Sequence, residues 1–119
     1  MSNTRRDLAD RTFEFAKHVR RFVNGVPRNA ANYEDVRQLI RASGSVAANY
    51  LESQGAVSRK DFFYRIKICR KEARESGLLL RLIESGTNTG VLAQRDQLLL
   101  ESDELKRIFS SIAGKDDTE

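Results

Sequence analysis

Apolar side chains recur at alternating four- and three-residue steps through almost the whole of this 119-residue chain, which contains a single proline. Such spacing puts the apolar side chains on one face of an α-helix, whereas a half-buried strand needs strict alternation. A proline inside a helix costs about 3 kcal/mol, so a chain with so little proline tolerates long helices. The pattern predicts an all-α fold. Its most regular line lies on the third helix and comprises Phe62, Ile66, Cys69, Ala73, Ser76, Leu80 and Ile83.

The first two helical segments can be bounded from their capping signals. Helix one is expected to span about residues 7–24, because Gly25 and then Pro27 follow it and both residue types end helices. Helix two is expected to span about residues 33–54. Asn32 is its predicted N-cap, since Asp35 stands three residues later, as in a capping box.

A similar capping pair, Ser58 and Asp61, predicts the start of helix three, and Gly86 is the predicted C-terminal cap of that helix. Helix four is expected to begin near Val91, and the polar residues 114–119 are expected to fray. Helices joined by short loops favour antiparallel neighbours. We therefore predict one domain over residues 1–119, with an ordered core at about 7–113, that folds as an antiparallel up-down four-helix bundle.

The composition bears on the compartment and on the class of partner. Cys69 is the only cysteine, so no internal disulfide is expected, and the N-terminal residues lack the apolar stretch of a signal peptide. The longest apolar runs are far too short to span a membrane. A cytoplasmic location is expected, because free thiols are typical of reducing compartments. The net charge of +4 and the pI of about 9.5 permit a polyanionic partner.

Two helices carry a second apolar line beside the one that faces the core. On helix three this line comprises Ile68, Glu72, Glu75, Leu79 and Leu82, and on helix one it comprises Ala9, Phe13, Ala16 and Val23. A helix that is apolar on two faces is either central or shared with another subunit. Every helix of a four-helix bundle is peripheral, so the pattern predicts self-association through helices one and three.

Glu72 and Glu75 interrupt the second line of helix three, and two interpretations compete for them. Paired carboxylates bind metals in di-metal bundles, but those sites also need a histidine three residues after a glutamate. The only histidine, His18, has no glutamate three residues before it. The favoured interpretation is a structural polar network with helix two. It is expected to comprise Arg41, Ser45, Asn49, Glu72 and Glu75. Loss of Arg41 would cost about 3–5 kcal/mol if its ion pair is buried.

Patterns typical of enzymes are missing from the sequence. It contains neither a glycine-rich phosphate loop nor a dinucleotide-binding fingerprint. His18 lies among basic residues and is predicted to be solvated, whereas Cys69 lies on the inward line and is predicted to be a small core residue. We expect no enzyme activity, no cofactor, no metal and no small-molecule substrate.

Basic residues are concentrated on one side of helix three. They are Lys60, Lys67, Arg70, Lys71, Arg74 and Arg81. Repeated around an oligomer, this row would form a basic ring able to bind the phosphates of RNA or DNA, and Tyr64 could stack on a base. The alternative is an ordinary solvated helix face that is neutralised by its neighbours.

Two motifs stand out along helices two and three. Residues 38–50 read QLIRASGSVAANY, and residues 58–62 and 66–76 read SRKDF and IKICRKEARES. Both resemble the signatures of the bacterial four-helix-bundle protein family, also known as the 23S ribosomal RNA intervening-sequence proteins. The resemblance covers about residues 7–112, and it departs from the family pattern at Ala42 and at residues 77–79.

The resemblance implies an antiparallel four-helix bundle that assembles as a homopentamer without catalytic activity. Related accessory proteins of diversity-generating retroelements form pentameric barrels and bind nucleic acid through basic surfaces. The family's motif residues correspond here to Arg41, Asn49, Glu72 and Glu75. We therefore predict a non-enzymatic oligomeric module that binds nucleic acid, RNA above all. The alternative is a structural or protein-partner scaffold with no nucleic-acid role.

Overall fold

The computed structural model describes residues 4–117. Within this range the chain forms four helices and no strand: α1 (Thr4–Val23), α2 (Ala30–Gln54), α3 (Arg59–Leu82) and α4 (Thr89–Ala113). α1 packs against α2 and α4, and α3 packs against the same two helices. α1 and α3 therefore lie at opposite corners of an up-down bundle, which confirms the predicted fold class. None of the four helices, over the residues described, is both long and apolar enough to cross a membrane.

The core is built from the inward lines that the four-three spacing predicts. On α3 every position of that line from Ile66 to Ile83 is buried. Three phenylalanines, Phe15, Phe22 and Phe109, are the largest side chains that are fully buried. Tyr50 closes one end of the core, with its ring centroid 6.1 Å from that of Phe109. Burial of side chains of this size contributes roughly 1.5–3 kcal/mol each, which makes this core the main source of stability.

An ion pair joins the first and last helices. Arg11 Nη2 lies 2.6 Å from Glu101 Oε1, and Arg11 Nε donates to Glu101 Oε2 at 3.1 Å. The same Nη2 lies 3.1 Å from Glu104 Oε1. The hydrogen bonds to Glu101 raise the pKa of the Arg11 guanidinium above its ordinary value. This bidentate contact fixes α1 beside α4 more firmly than a single surface ion pair would.

The start of α2 differs from the prediction, because Asn29 and not Asn32 is the N-cap. Asn29 Oδ1 accepts a hydrogen bond from the backbone N–H of Asn32 at 2.9 Å. Asn32 is itself buried, and its Nδ2 donates to the carbonyl oxygens of Pro27 at 2.9 Å and Glu84 at 2.8 Å. Its Oδ1 accepts from the Glu84 N–H at 3.0 Å. One amide group thus joins the α1–α2 loop to the α3–α4 loop.

The ends of α3 and α4 agree with the prediction in part. Ser58 caps α3 as expected, with its Oγ accepting from the Asp61 N–H at 3.0 Å. α3 ends at Leu82, several residues before Gly86. Gly86 instead lies in the following loop with φ of 77°, and a Cβ there would stand 3.1 Å from Pro27 Cγ. That conformation favours glycine, and a Cβ at this position would also crowd the Pro27 ring.

Residues 114–117 make contacts that the predicted fraying of residues 114–119 did not anticipate. The Gly114 N–H donates to the Ser110 carbonyl oxygen at 2.9 Å and closes α4. Asp116 then reaches α3, where its Oδ2 lies 2.9 Å from Lys67 Nζ. Residues 118 and 119 lie outside the part of the chain that the structure describes.

The Asn32 side chain yields a test of how the two loops are held together. Asn32→Ala is expected to lower the free energy of unfolding by about 2–4 kcal/mol, because it removes three part-buried hydrogen bonds between the two loops and leaves the backbone groups of Glu84 and Pro27 without this partner. Asn29→Ala, which removes only the cap, is the control and should cost about 1 kcal/mol. Chemical denaturation measures both values. Equal losses in the two variants would contradict this role for Asn32.

Candidate nucleic-acid interface

The charges of α3 are divided between two sides of the helix. α3 carries three acidic residues, Asp61, Glu72 and Glu75. At 100° per residue, all three fall within an arc of about 60°. The polar contacts described below place this arc beside α2. Its eight basic residues include the six of the predicted nucleic-acid site, which share an arc of about 100° on the outer side. Among the described residues, none of these three acids forms an ion pair with one of the six outer bases, although Glu75 lies one helical turn from Lys71.

Arg41 of α2 bridges two of these carboxylates. Its Nη1 donates to Glu72 Oε2 at 3.3 Å, and its Nη2 donates to Glu75 Oε1 at 2.9 Å. Glu72 is buried, with 6% of its surface exposed, whereas the Arg41 side chain is 55% exposed. The guanidinium thus covers a buried carboxylate from the solvent side. The planar, forked donor suits this task, because it reaches two carboxylates at once.

Ser45 and Asn49, the other predicted members of the network, form a separate group. Asn49 Nδ2 donates to Ser45 Oγ at 3.0 Å, and Asn49 Oδ1 accepts from Arg65 Nη1 at 3.1 Å. Arg65 Nε lies 3.8 Å from Asp61 Oδ1, one helical turn away. No hydrogen bond among the described residues joins this group to Arg41. Two contacts between α2 and α3 therefore replace the single network that was predicted.

Sequence reasoning missed Arg65. The signal that could have found it is the spacing Asp61-x-x-x-Arg65, which places an acid and a base on one side of a helix. The predicted place of Asn49 in a polar network between helices two and three also called for a donor to its side-chain oxygen. Together, these two features point to Arg65 as the donor.

The outer side of α3 is the basic face, formed by Lys60, Lys67, Arg70, Lys71, Arg74 and Arg81. Lys60, Lys71, Arg74 and Arg81 are exposed, and Arg70 is half-buried. Within the described part of the chain, none of these five has a carboxylate oxygen within 4.0 Å. At 1.5 Å per residue the basic face is about 32 Å long.

Lys67 and Tyr64 add detail to the basic face. Lys67 lies near the middle of the row and is the member that pairs with Asp116. Tyr64 is 59% exposed and projects from the same side as Lys60 and Lys71. The Arg65 guanidinium carbon lies 5.7 Å from the Tyr64 ring centroid, within the range of a cation–π contact. One face of the Tyr64 ring is therefore already engaged by a cation.

The second apolar lines have different positions in the structure. On α3, Glu72 and Leu79 are buried within the chain, Ile68 and Glu75 are half-buried, and Leu82 is 59% exposed, so only part of this line is surface that a partner could cover. On α1, Phe13 is 58% exposed beside Leu51 of α2, which is 71% exposed. They border an apolar cleft of about 310 Å³, the α1–α2 cleft. It is lined by Ala9, Thr12, Phe13, Ala47, Ala48, Tyr50, Leu51 and Gln54.

Cys69 is the best candidate nucleophile and His18 the best candidate base, and the structure places Cys69 in the core and His18 on the surface, as predicted. Burial raises the pKa of the Cys69 thiol to about 12, and its Sγ donates to the Val46 carbonyl oxygen at 3.5 Å. Such a thiol is protonated at neutral pH and is a poor nucleophile. His18 is exposed, with its Nε2 3.5 Å from Glu14 Oε2. Among the described residues, no three His, Cys, Asp or Glu side chains are grouped as metal ligands.

Comparison with known proteins gives a family and a fold. The model of a family described as 23S rRNA-intervening sequence protein matches residues 5–111. A 1.70 Å crystal structure of a protein of unknown function from the S23 ribosomal protein family of Bacteroides thetaiotaomicron VPI-5482 has a similar fold, with a TM-score of 0.73. It is 26% identical in sequence, and the alignment covers 89% of this chain and 97% of that chain. No curated protein matches.

The contact between Arg41 and the two carboxylates can be tested by its effect on stability. Arg41→Ala is expected to lower the free energy of unfolding by about 1–3 kcal/mol, because buried Glu72 loses its charged partner. The loss falls short of that for a fully buried pair, since water can occupy the space that the half-exposed guanidinium leaves.

The matched control is Arg41→Lys, which keeps the charge but cannot bridge both carboxylates and should fall between Arg41→Ala and the wild type. A double-mutant cycle with Glu72→Gln isolates the coupling between the two side chains. A loss below about 0.5 kcal/mol for Arg41→Ala would show that the contact is an ordinary surface ion pair.

Proposed function

The chain belongs to the 23S rRNA-intervening sequence protein family, and from that premise we propose that it is a non-enzymatic, oligomeric helical bundle that binds RNA through the basic face of α3. The observation that carries the proposal is the group of five cations on this face that have no acidic partner among the described residues. Such cations release condensed counterions from a phosphate backbone when they bind it, and this release drives association.

An ordinary solvated helix face would be interleaved with acids. The three acidic residues of α3 instead lie on the side that faces α2. There Glu72 and Glu75 pair with Arg41 of α2, and Asp61 pairs with Arg65 of α3 itself. Cations three or four residues apart on a helix lie about 5–6 Å from one another, so they repel at low salt. A polyanion relieves this repulsion. The segregation of charge therefore favours a phosphate-bearing partner over plain solvation.

RNA is the proposed nucleic acid for two reasons. The family's description refers to a sequence that interrupts 23S ribosomal RNA. In addition, exposed Tyr64 lies beside the cations, and aromatic side chains stack on the unpaired bases of single strands or loops. The proposed role places the protein in the cytoplasm, as the single cysteine predicts. DNA remains the comparison ligand in the test below.

We further propose that the chain self-associates, as the resemblance to pentamers implies, and that the contact lies at the α1–α2 cleft instead of on α1 and α3. The cleft carries exposed Phe13 and Leu51, which a partner would cover. α1 and α3 lie at opposite corners of the bundle, so contact at the cleft leaves the basic face free. Several copies would then present several basic faces on the outside of one assembly.

The nucleic-acid proposal predicts a salt-dependent affinity that depends on the unpaired cations. The triple variant Arg70→Gln, Lys71→Gln and Arg74→Gln should bind a single-stranded RNA of about 20 nucleotides about tenfold more weakly at low salt. The slope of log K against log salt should become shallower by about 2, since each lost phosphate contact on a single strand contributes about 0.7. Fluorescence anisotropy over a salt series measures both quantities, with DNA of the same sequence alongside.

The matched control removes three exposed cations elsewhere, Arg28→Gln, Arg37→Gln and Arg107→Gln, and so changes the net charge equally. It should change the slope by less than one. Absence of wild-type binding at low salt, or equal slopes for the two triple variants, would exclude the basic face as a phosphate site and favour the scaffold interpretation.

The self-association proposal predicts the mass in solution. Light scattering at micromolar concentration should give about 68 kDa if five copies of the 13.5 kDa chain associate. Phe13→Glu should reduce the mass toward that of the monomer, because it places a charge in the apolar cleft. Leu100→Glu, at an exposed leucine on α4, is the matched control and should have no effect. A wild-type monomer would mean that the cleft is covered by a different protein, or by none.

A further inference from the structure

The last described residues of the chain lie against α3, on the side that carries the basic face. Asp116 Oδ2 lies 2.9 Å from Lys67 Nζ, and the Asp116 side chain is only 7% exposed. Arg59 Nη2 donates to the Lys115 carbonyl oxygen at 3.0 Å and lies 3.5 Å from Asp117 Oδ1. Residues 115–117 thus contact two cations of α3 that stand two helical turns apart.

The backbone of this segment is also held in place. After α4 ends, the Lys115 N–H donates to the Ile112 carbonyl oxygen at 3.0 Å, and the Asp116 N–H donates to the Ala113 carbonyl oxygen at 3.1 Å. These bonds continue the turn that directs Asp116 back toward α3. The acidic segment is therefore placed by the end of α4, and its contact with Lys67 does not depend on charge alone.

The position of Asp116 matters because of which cation it occupies. Lys67 is near the centre of the basic face, and its flanking members Lys71 and Arg74 have no acidic partner among the described residues. Carboxylate and phosphate oxygens accept hydrogen bonds from a lysine ammonium in the same way. A carboxylate on Lys67 thus occupies a place that a bound phosphate would take.

We propose that residues 115–117 compete with RNA for α3, as an intramolecular acidic segment that RNA displaces when it binds. This inference rests on the proposed function, because it assumes that the basic face binds phosphates. The Arg59–Asp117 pair is exposed and shifts an equilibrium by about 1.5- to 5-fold, and the Lys67–Asp116 pair, whose lysine side chain is 27% exposed, adds a single further contact. The segment therefore attenuates binding without blocking it, and a ligand with several phosphate contacts displaces it.

The test compares the double variant Asp116→Asn and Asp117→Asn with the wild type, using single-stranded RNA in a salt series. The variant should bind about 3- to 10-fold more tightly at low salt, because two competing ion pairs are lost. The salt slope should steepen by less than about 1, because Lys67 loses the carboxylate of Asp116 as a competitor for phosphate. The matched control, Glu34→Gln with Asp96→Asn, changes the net charge equally at the opposite end of the bundle and should change affinity by less than twofold.

A second measurement uses the wild-type protein alone and so does not depend on a variant that folds. Hydrogen exchange of the Lys115 and Asp116 amides should accelerate when RNA is added, because displacement of the segment frees both donors. Amides within α4 should not change. Unchanged exchange at residues 115–117 under saturating RNA would overturn the inference.

The binding outcomes separate this inference from the proposed function. If the wild type and the acid-neutralised variant bind RNA equally, or the control gains as much as the variant, only the competition is wrong. If neither protein binds RNA at low salt, both proposals are wrong. If the variant binds RNA and the wild type does not, both proposals are supported. The segment would then compete more strongly than its two ion pairs suggest.

Discussion

A buried carboxylate governs the packing of α2 against α3. Glu72 is 6% exposed on a helix whose opposite side is strongly basic, and a charge in such a place is stable only beside a partner that satisfies it. Arg41 is that partner, and it also takes up Glu75. Asp61, on the same side, pairs with Arg65. The acids of α3 are thereby directed toward α2. A rotation of α3 about its axis would move the inward line out of the core and would separate Glu72 from Arg41, its one ion-pair partner in the described part of the chain.

This constraint on the interior determines the chemistry of the surface. The inward line and the acidic residues occupy two sides of α3, so the basic residues lie on the remaining side. The four central members, Lys67, Arg70, Lys71 and Arg74, include pairs three or four residues apart whose Cβ atoms lie about 5–6 Å from one another, which is less than the screening length of about 8 Å at physiological salt. A ligand therefore encounters them as one field. The carboxylates of Glu72 and Glu75 lie on another side of the helix and are already paired, so they reduce this field little.

The features that depend on periodicity could be predicted from the sequence, and those that depend on contacts between distant segments could not. The inward line of α3 and the cap at Ser58 follow from local spacing, and both are present. Asparagine is a common cap residue, but the side-chain amide of Asn32 forms hydrogen bonds with two loops, and its partner Glu84 lies 52 residues further along the chain. Asp116 was expected to be frayed, because nothing in residues 114–119 indicates that the turn after α4 carries it to Lys67.

In the candidate site, too, some contacts could be predicted from the sequence and others could not. Arg41, Glu72 and Glu75 are brought together as their positions on facing helices suggested, whereas Ser45 and Asn49 join Arg65 in a separate group. Helix spacing indicates which side of a helix a residue occupies. It does not indicate where along a neighbouring helix that residue will lie, because that register is set by the packing of the whole core.

The proposed assembly and the proposed RNA binding depend on each other energetically. A single basic face offers about five unpaired cations, and at roughly 0.7 counterions released per contact such a site loses most of its affinity at physiological salt. Several basic faces on one assembly make the second and later contacts intramolecular, which raises the overall affinity without any new contact within each chain. The exposed apolar area at Phe13 would thus support RNA binding although it lies at the opposite corner of the bundle from α3. In this proposal the Asp116 carboxylate opposes each basic face separately, so an RNA that contacts several faces displaces several of these segments.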